Sequence, residues 1–124
     1  MQKVFLVALG GMIGAVLRYL ITCFSMEKFG INFPYGTLLA NVAGCLLIGI
    51  VMGAIIEKGL LSENIRLLLV IGLAGGLTTF SSFSFDTINL LQQQQYMLSL
   101  ANIFGNMFLG LLATILGINF IRLF

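Results

Sequence analysis

The sequence predicts an all-α integral membrane protein, with four transmembrane helices in a single domain over residues 1–124. Three observations predict it. The chain is 60% hydrophobic and 8% charged, with a mean hydropathy of +1.12, whereas soluble domains carry about 25% charged residues. Its apolar residues fall into four windows, 4–24, 34–56, 67–90 and 97–121, each close to the roughly 20 residues that cross a bilayer. Short polar stretches separate those windows.

The first span begins almost at once. Lys3 is too thin a basic region for a cleaved signal, and 8-ALGGMIGA-15 continues into more apolar sequence. Within it, Gly10, Gly14 and Arg18 are spaced by four and share one helix face. Arg18 is the single cation well inside a span, and a charge at a span centre costs about 2.5–3.5 kcal/mol. It either snorkels to the interface or draws anions to a pore entrance; the residues alone leave both open. The connection 25-SMEKFGINFPYG-36 holds the one proline.

In the second span Gly49 and Gly53 form GxxxG, and Cys45 and Asn41 extend the same stripe. Small residues at such spacing let helix backbones approach closely, and packing is the reading preferred for the glycines. The segment 57-EKGLLSENIR-66 is the next connection, and 91-LQQQQYM-97 is the third. The fourth span repeats the pattern with Asn102, Asn106, Gly110 and Thr114. For these amides and Thr114, helix packing and a polar ion track are equally open. Polar side chains inside a span face protein or water rather than lipid. Stripes on at least three spans therefore predict self-association as a dimer.

The third span is interrupted. After 67-LLLVIGLA-74 comes 75-GGLTTFSSFSFD-86, whose glycines and threonines are weak helix formers. Gly75 and Gly76 are expected to let the chain leave helical geometry. Unwound backbone at membrane depth persists only where protein buries it or it lines a cavity. Its carbonyls can hold a cation, and the resumed half-helix offers N–H groups to an anion. Phe80 and Phe83, three apart, share a face, and the positive edges of their rings can attract a small anion. Thr79, Ser81 and Ser84 add hydroxyl donors. Ordinary packing is the competing reading for the two rings.

Several function classes are excluded. The chain has no histidine, only four acids, and no HExxH, GxSxG or Walker pattern, so no enzyme is expected. Cys23 and Cys45 lack metal or disulfide spacing, and a net charge of +2 argues against nucleic acid. An even span number puts both termini on one side. Lys3, Lys58, Arg66 and Arg122 lie there, against Lys28 and Arg18 on the other. The positive-inside rule thus favours cytoplasmic termini, by an excess small enough for insertion in either sense.

Three motifs carry a family resemblance. The stretches 10-GGMIGAVLRY-19, 36-GTLLANVAGCLLIG-49 and 72-GLAGGLTTFSSFSFD-86 resemble, in order, those of the small bacterial fluoride channels of the Fluc (CrcB) type. The last is similar to that family's GxxGGxTTFSTFSxE, with Ser82 in place of Thr and Asp86 in place of Glu. The resemblance implies an antiparallel, dual-topology homodimer in the bacterial cytoplasmic (inner) membrane, selective for fluoride ion. It implies that Asn41, Phe80 and Phe83 line each fluoride pathway, with Ser81 and Thr114 as polar-track candidates and Arg18 near a vestibule. It further implies one structural sodium ion at the interface, held by the backbone carbonyls of Gly75 and Thr78 from both subunits. The rival from another class is a small multidrug-type proton-coupled exporter. That mechanism needs an intramembrane carboxylate, and the first span carries Arg18 and no acid.

Overall fold

The computed structural model describes residues 1–123, and among these the secondary structure is entirely helical. Helix α1 runs Gln2–Phe29 and α2 runs Tyr35–Lys58. Helix α3 covers 63–77: an α-turn Glu63–Arg66, a π-helical stretch Leu67–Ala74 and a last turn Gly75–Leu77. Helix α4 is Phe80–Gln92, and α5 is Tyr96–Leu123. Four helical stretches are long and apolar enough to span a membrane, α3 and α4 together forming the third.

Each of the four helical spans is longer than its apolar window. At 1.5 Å per residue a 28-residue helix is about 42 Å long, beyond a hydrocarbon core of about 30 Å. Hydropathy sees only the part in lipid, so the ends run on into polar sequence. The connections shrink accordingly. The second is reduced to residues 59–62: Gly59, at φ 60°, closes α2 with its N–H on Ile55 O, an αL stop, and Leu60 N–H bonds Ala54 O. Ser62 then caps α3, its hydroxyl accepting from Ile65 N–H. At this end Lys3 pairs with Glu63 at 2.8 Å and Arg122 with Glu57 at 2.7 Å.

Two seams hold the bundle, and both are bare backbone. Along α1 and α3, a Cβ at Gly10 would collide with the Leu68 carbonyl, one at Gly14 with the Leu73 carbonyl, and one at Gly72 would lie 2.8 Å from Gly10 Cα. Along α2 and α5, Gly49 meets the Thr114 carbonyl, and a Cβ at Gly117 would lie 2.7 Å from Leu46 O and Ile50 N. Lipid offers helices no hydrophobic reason to associate, so close van der Waals approach must supply it. The interior is correspondingly small or polar. Ala40, Val51, Ala54, Ala74 and Ala113 are buried beside Ser25, Thr37, Thr79, Thr87, Ser99 and Asn102, with Leu77 and Leu90 the larger exceptions. The large apolar side chains face outward, Phe5, Phe24, Phe85 and Phe108 among them. This is a multi-pass membrane protein.

The seams make a stability prediction. Gly49→Ala should lower thermal stability in detergent by about 1–3 kcal/mol, because neither carbonyl nor helix can yield. Gly105→Ala, whose Cβ would meet only Leu38 methyls at 3.7 and 3.8 Å, should stay within about 0.5 kcal/mol of the parent. Equal melting temperatures for the two variants would refute backbone contact as the source of cohesion.

Candidate functional site

The chain leaves helical geometry at Thr78 and Thr79, whose backbones are extended (φ −78°, ψ 154° and φ −152°, ψ 115°). The expectation that Gly75 and Gly76 make the break is corrected. Gly75 is helical at φ −62°, ψ −38°, and Gly76 continues the helix so that its bare Cα can press against the Gly11 carbonyl. Glycine permits a departure from the helix without requiring one. Threonine does more, since its hydroxyl offers the backbone an alternative partner. Thr78 Oγ1 donates back to Ala74 O at 2.9 Å, and Thr79 Oγ1 accepts from Ser82 N–H at 3.1 Å, capping α4.

Two extended residues in mid-membrane strand their polar groups, and Asn41 on α2 takes up those of Thr79. Its Oδ1 accepts from Thr79 N–H at 2.7 Å, while its Nδ2 donates to Thr79 O at 3.3 Å. The same Nδ2 donates to Asn106 Oδ1 on α5 at 2.8 Å. One side chain thereby ties α2, α5 and the break together. Arg18, half-buried on α1, donates to Thr78 O at 3.3 Å, so it reaches inward to the break instead of out to the interface. Among the described residues every buried side-chain polar atom has a partner.

Two grooves flank this point. One, of about 340 Å³, is lined by Asn41, Cys45, Thr78, Thr79, Phe80 and Phe83, with Asn106 behind them. Its two phenyl rings have centroids 5.5 Å apart and planes tilted by 51°, and Phe80 is 78% exposed. The other, of about 400 Å³, is lined by Arg18, Thr22, Thr37, Thr79, Ser81, Ser82 and Asp86. There Thr37 Oγ1 donates to Asp86 Oδ2 at 2.7 Å. Thr79 borders both.

The sequence-predicted residues therefore divide. Asn41, Phe80 and Phe83 converge on one groove, and Ser81 joins Arg18 on the other. Thr114 stands apart on the α2–α5 seam, its hydroxyl engaged by Gly110 O at 3.1 Å and Cys45 O at 3.3 Å. Gly75 is exposed beside the break, and its normal α-helical partner, Thr79 N–H, is turned to Asn41. The bond between Asn41 and Asn106 and that between Thr37 and Asp86 were not foreseen. Their only sequence signal was a polar residue on each of two spans, without the register that brings them together.

The sequence profile of the family described as CrcB-like protein, Camphor Resistance (CrcB), matches residues 5–118. The chain belongs to the CrcB family. The family resemblance carried by the three motifs is thus right. This CrcB chain is 48% identical over 120 residues to a Clostridium perfringens protein named fluoride-specific ion channel FluC, with 94% of each chain covered. Proteins of the same name from Flavobacterium psychrophilum and Chloroflexus aurantiacus are 43% identical over 118 residues and 40% identical over 124. These alignments cover 95% of each chain in the first case, and 100% of this chain and 98% of the other in the second.

Asn41→Ala should cost about 2 kcal/mol or more, since it removes a partner from both polar groups of Thr79 in a dry interior. Chemical denaturation in detergent would measure it. A change under about 0.5 kcal/mol would mean that Thr79 does not depend on this amide.

Proposed function

We propose that this CrcB-family chain is a fluoride-selective channel, not an enzyme, and that it gives passive export of fluoride ion from the cytoplasm through the bacterial cytoplasmic membrane. The observation that carries the reading is the pair Phe80 and Phe83 set against an unwound backbone inside a span. Relatives named as fluoride-specific channels that align over 94% or more of the chain support it.

The chemistry follows from what the residues offer a small anion. Phenyl edges are weakly positive, so they attract fluoride without the grip of a lysine or arginine. Asn41 contributes an amide N–H at the groove wall. Ser81 lies in the second groove, where Arg18 raises the local anion concentration. Thr114 has its part in the α2–α5 seam. Hydrogen fluoride crosses lipid as a neutral acid and ionises in the less acidic cytoplasm. An inside-negative potential then drives the ion outward, by about 2.3 kcal/mol per 100 mV.

The working form is an antiparallel, dual-topology homodimer. Ile71 and Phe80 are 48% and 78% exposed next to exposed Gly75. An opened carbonyl cannot face lipid, so a second copy is the economical cover. The backbone carbonyls of Gly75 and Thr78 from both subunits would hold a structural sodium ion. Gly75 O has lost its α-helical partner and is free for such an ion, while Thr78 O has a second acceptor site, and the Arg18 guanidinium would have to swing away from it as the cation binds. Such an ion would join the subunits and add positive potential between two anion paths.

The proton-coupled exporter is disfavoured. Asp86 is the one acid of α4, and it accepts the Thr37 hydroxyl; the other acids lie at helix ends. Liposomes holding the purified chain and potassium fluoride, made permeable to potassium, should release fluoride without a proton gradient. Release that demands such a gradient would favour the exporter. Phe80→Ile and Phe83→Ile should each slow release about three- to tenfold, and unchanged rates would reduce both rings to packing. Terminus tagging in intact cells should find both orientations in comparable amounts; a single orientation would overturn the antiparallel dimer.

A further inference from the structure

Asn102 lies outside both grooves and is 0% exposed. Leucine would fill a helix seam at that point without an amide to satisfy. Both ends of the amide are instead engaged, in a chain of hydrogen bonds that all run one way. Thr79 N–H donates to Asn41 Oδ1 at 2.7 Å, Asn41 Nδ2 to Asn106 Oδ1 at 2.8 Å, and Asn106 Nδ2 to Asn102 Oδ1 at 3.0 Å. Asn102 Nδ2 then donates to Thr87 Oγ1 at 2.9 Å, and Thr87 Oγ1 to Phe83 O at 2.7 Å. The chain starts on the residue before Phe80 and ends on the carbonyl of Phe83. It crosses α2 and α5 on the way, and Ser99 Oγ braces the far end by donating to Thr87 O at 3.2 Å.

An amide has one donor end and one acceptor end. Reversing Asn41 or Asn106 would set N–H against N–H and strand buried groups at their neighbours, at about 1–3 kcal/mol each. Successive bonds of the same sense also polarise one another. Thr79 fixes the sense of the Asn41 amide, since its N–H can only donate and its carbonyl can only accept; Asn102, held between Thr87 and Asn106, keeps Asn106 in place to receive the Asn41 N–H. In that sense Oδ1 of Asn41 is committed to Thr79 N–H and one Nδ2 hydrogen to Asn106. The other hydrogen makes only the long 3.3 Å contact to Thr79 O, at the wall of the groove lined by Phe80 and Phe83.

We infer that Asn102 and Thr87 are positioning residues for anion permeation: through Asn106 they hold Asn41 at the groove wall, and they tie α4 to α5 so that Phe80 and Phe83 stand beside it. The inference rests on the fluoride-channel reading above and adds to it two residues that touch no ion.

Liposome efflux separates pore quality from protein yield. The fraction of vesicles that empty counts folded channels, while the rate of emptying per active vesicle reports the pore. Thr87→Val keeps the shape and removes the hydroxyl, and Asn102→Ala removes the amide. Each should slow fluoride release per active vesicle about three- to tenfold, the effect of one lost buried hydrogen bond, with the active fraction near that of the parent. Thr87→Ser, which restores the hydroxyl, should release at close to the parent rate. A fall in active fraction at unchanged rate, or no change in either quantity, would overturn the positioning role and leave a purely structural contact. A Thr87→Ser variant as slow as Thr87→Val would do the same. If the parent chain itself releases no fluoride, the channel reading fails, and the inference with it.

Discussion

The structure depends on how two residues of unwound backbone are kept in a membrane. Lipid supplies no hydrogen-bond partners, and each stranded N–H or C=O at that depth costs several kcal/mol. Here Asn41 answers for both polar groups of Thr79, and Arg18 answers for the carbonyl of Thr78. The requirement reaches far from the break. Asn41 must arrive from α2 at one height, Asn106 must meet it from α5, and α1 must bring a cation inward.

That demand for register explains why the seams are built from glycine. Helices that touch backbone to backbone cannot slide, because each bare Cα sits against a particular carbonyl of its neighbour. Gly10 and Gly14 fix α1, and hence Arg18 one turn on, against the stretch that leads to the break. Gly49 and Gly117 fix α2 against α5, and with them the height at which Asn41 and Asn106 meet. Large side chains at the same positions would pack as well against lipid, but over a softer potential with several near-equal registers. Small inside and large outside is the arrangement that a polar interior in an apolar solvent calls for.

Two grooves border the break, and their linings differ. The groove at Phe80 and Phe83 is aromatic, with the amides of Asn41 and Asn106 in its lining; the groove at Arg18, Ser81 and Asp86 is richer in hydroxyls and charge, with Phe85 beside them. On the channel reading proposed above, an anion passing from one to the other would exchange hydroxyl donors for weakly positive ring edges. Such a gradation suits a small, strongly hydrated ion that has to be desolvated without being trapped.

Much of this was legible in the residues. Composition and apolar windows determined a four-span membrane protein, because exclusion of charge over about 20 residues is a local property of the chain. The three motifs determined the family, and the four-residue spacing of Gly10 with Gly14 and of Gly49 with Gly53 marked the faces that pack. The position of the break was not legible. Glycine marks where a helix can open, yet tertiary contact with α1 used Gly72 and Gly76 as close-packed helix, and the opening moved to Thr78 and Thr79. The π-helical turns before it left no sequence trace either. Nor could spacing along one helix reveal that Asn41 bonds Asn106, or that Thr37 bonds Asp86. Those pairs depend on the relative height of two helices, a quantity set by how backbones nest. The sequence by itself determined which groups must be buried; only the tertiary structure decided which of them meet.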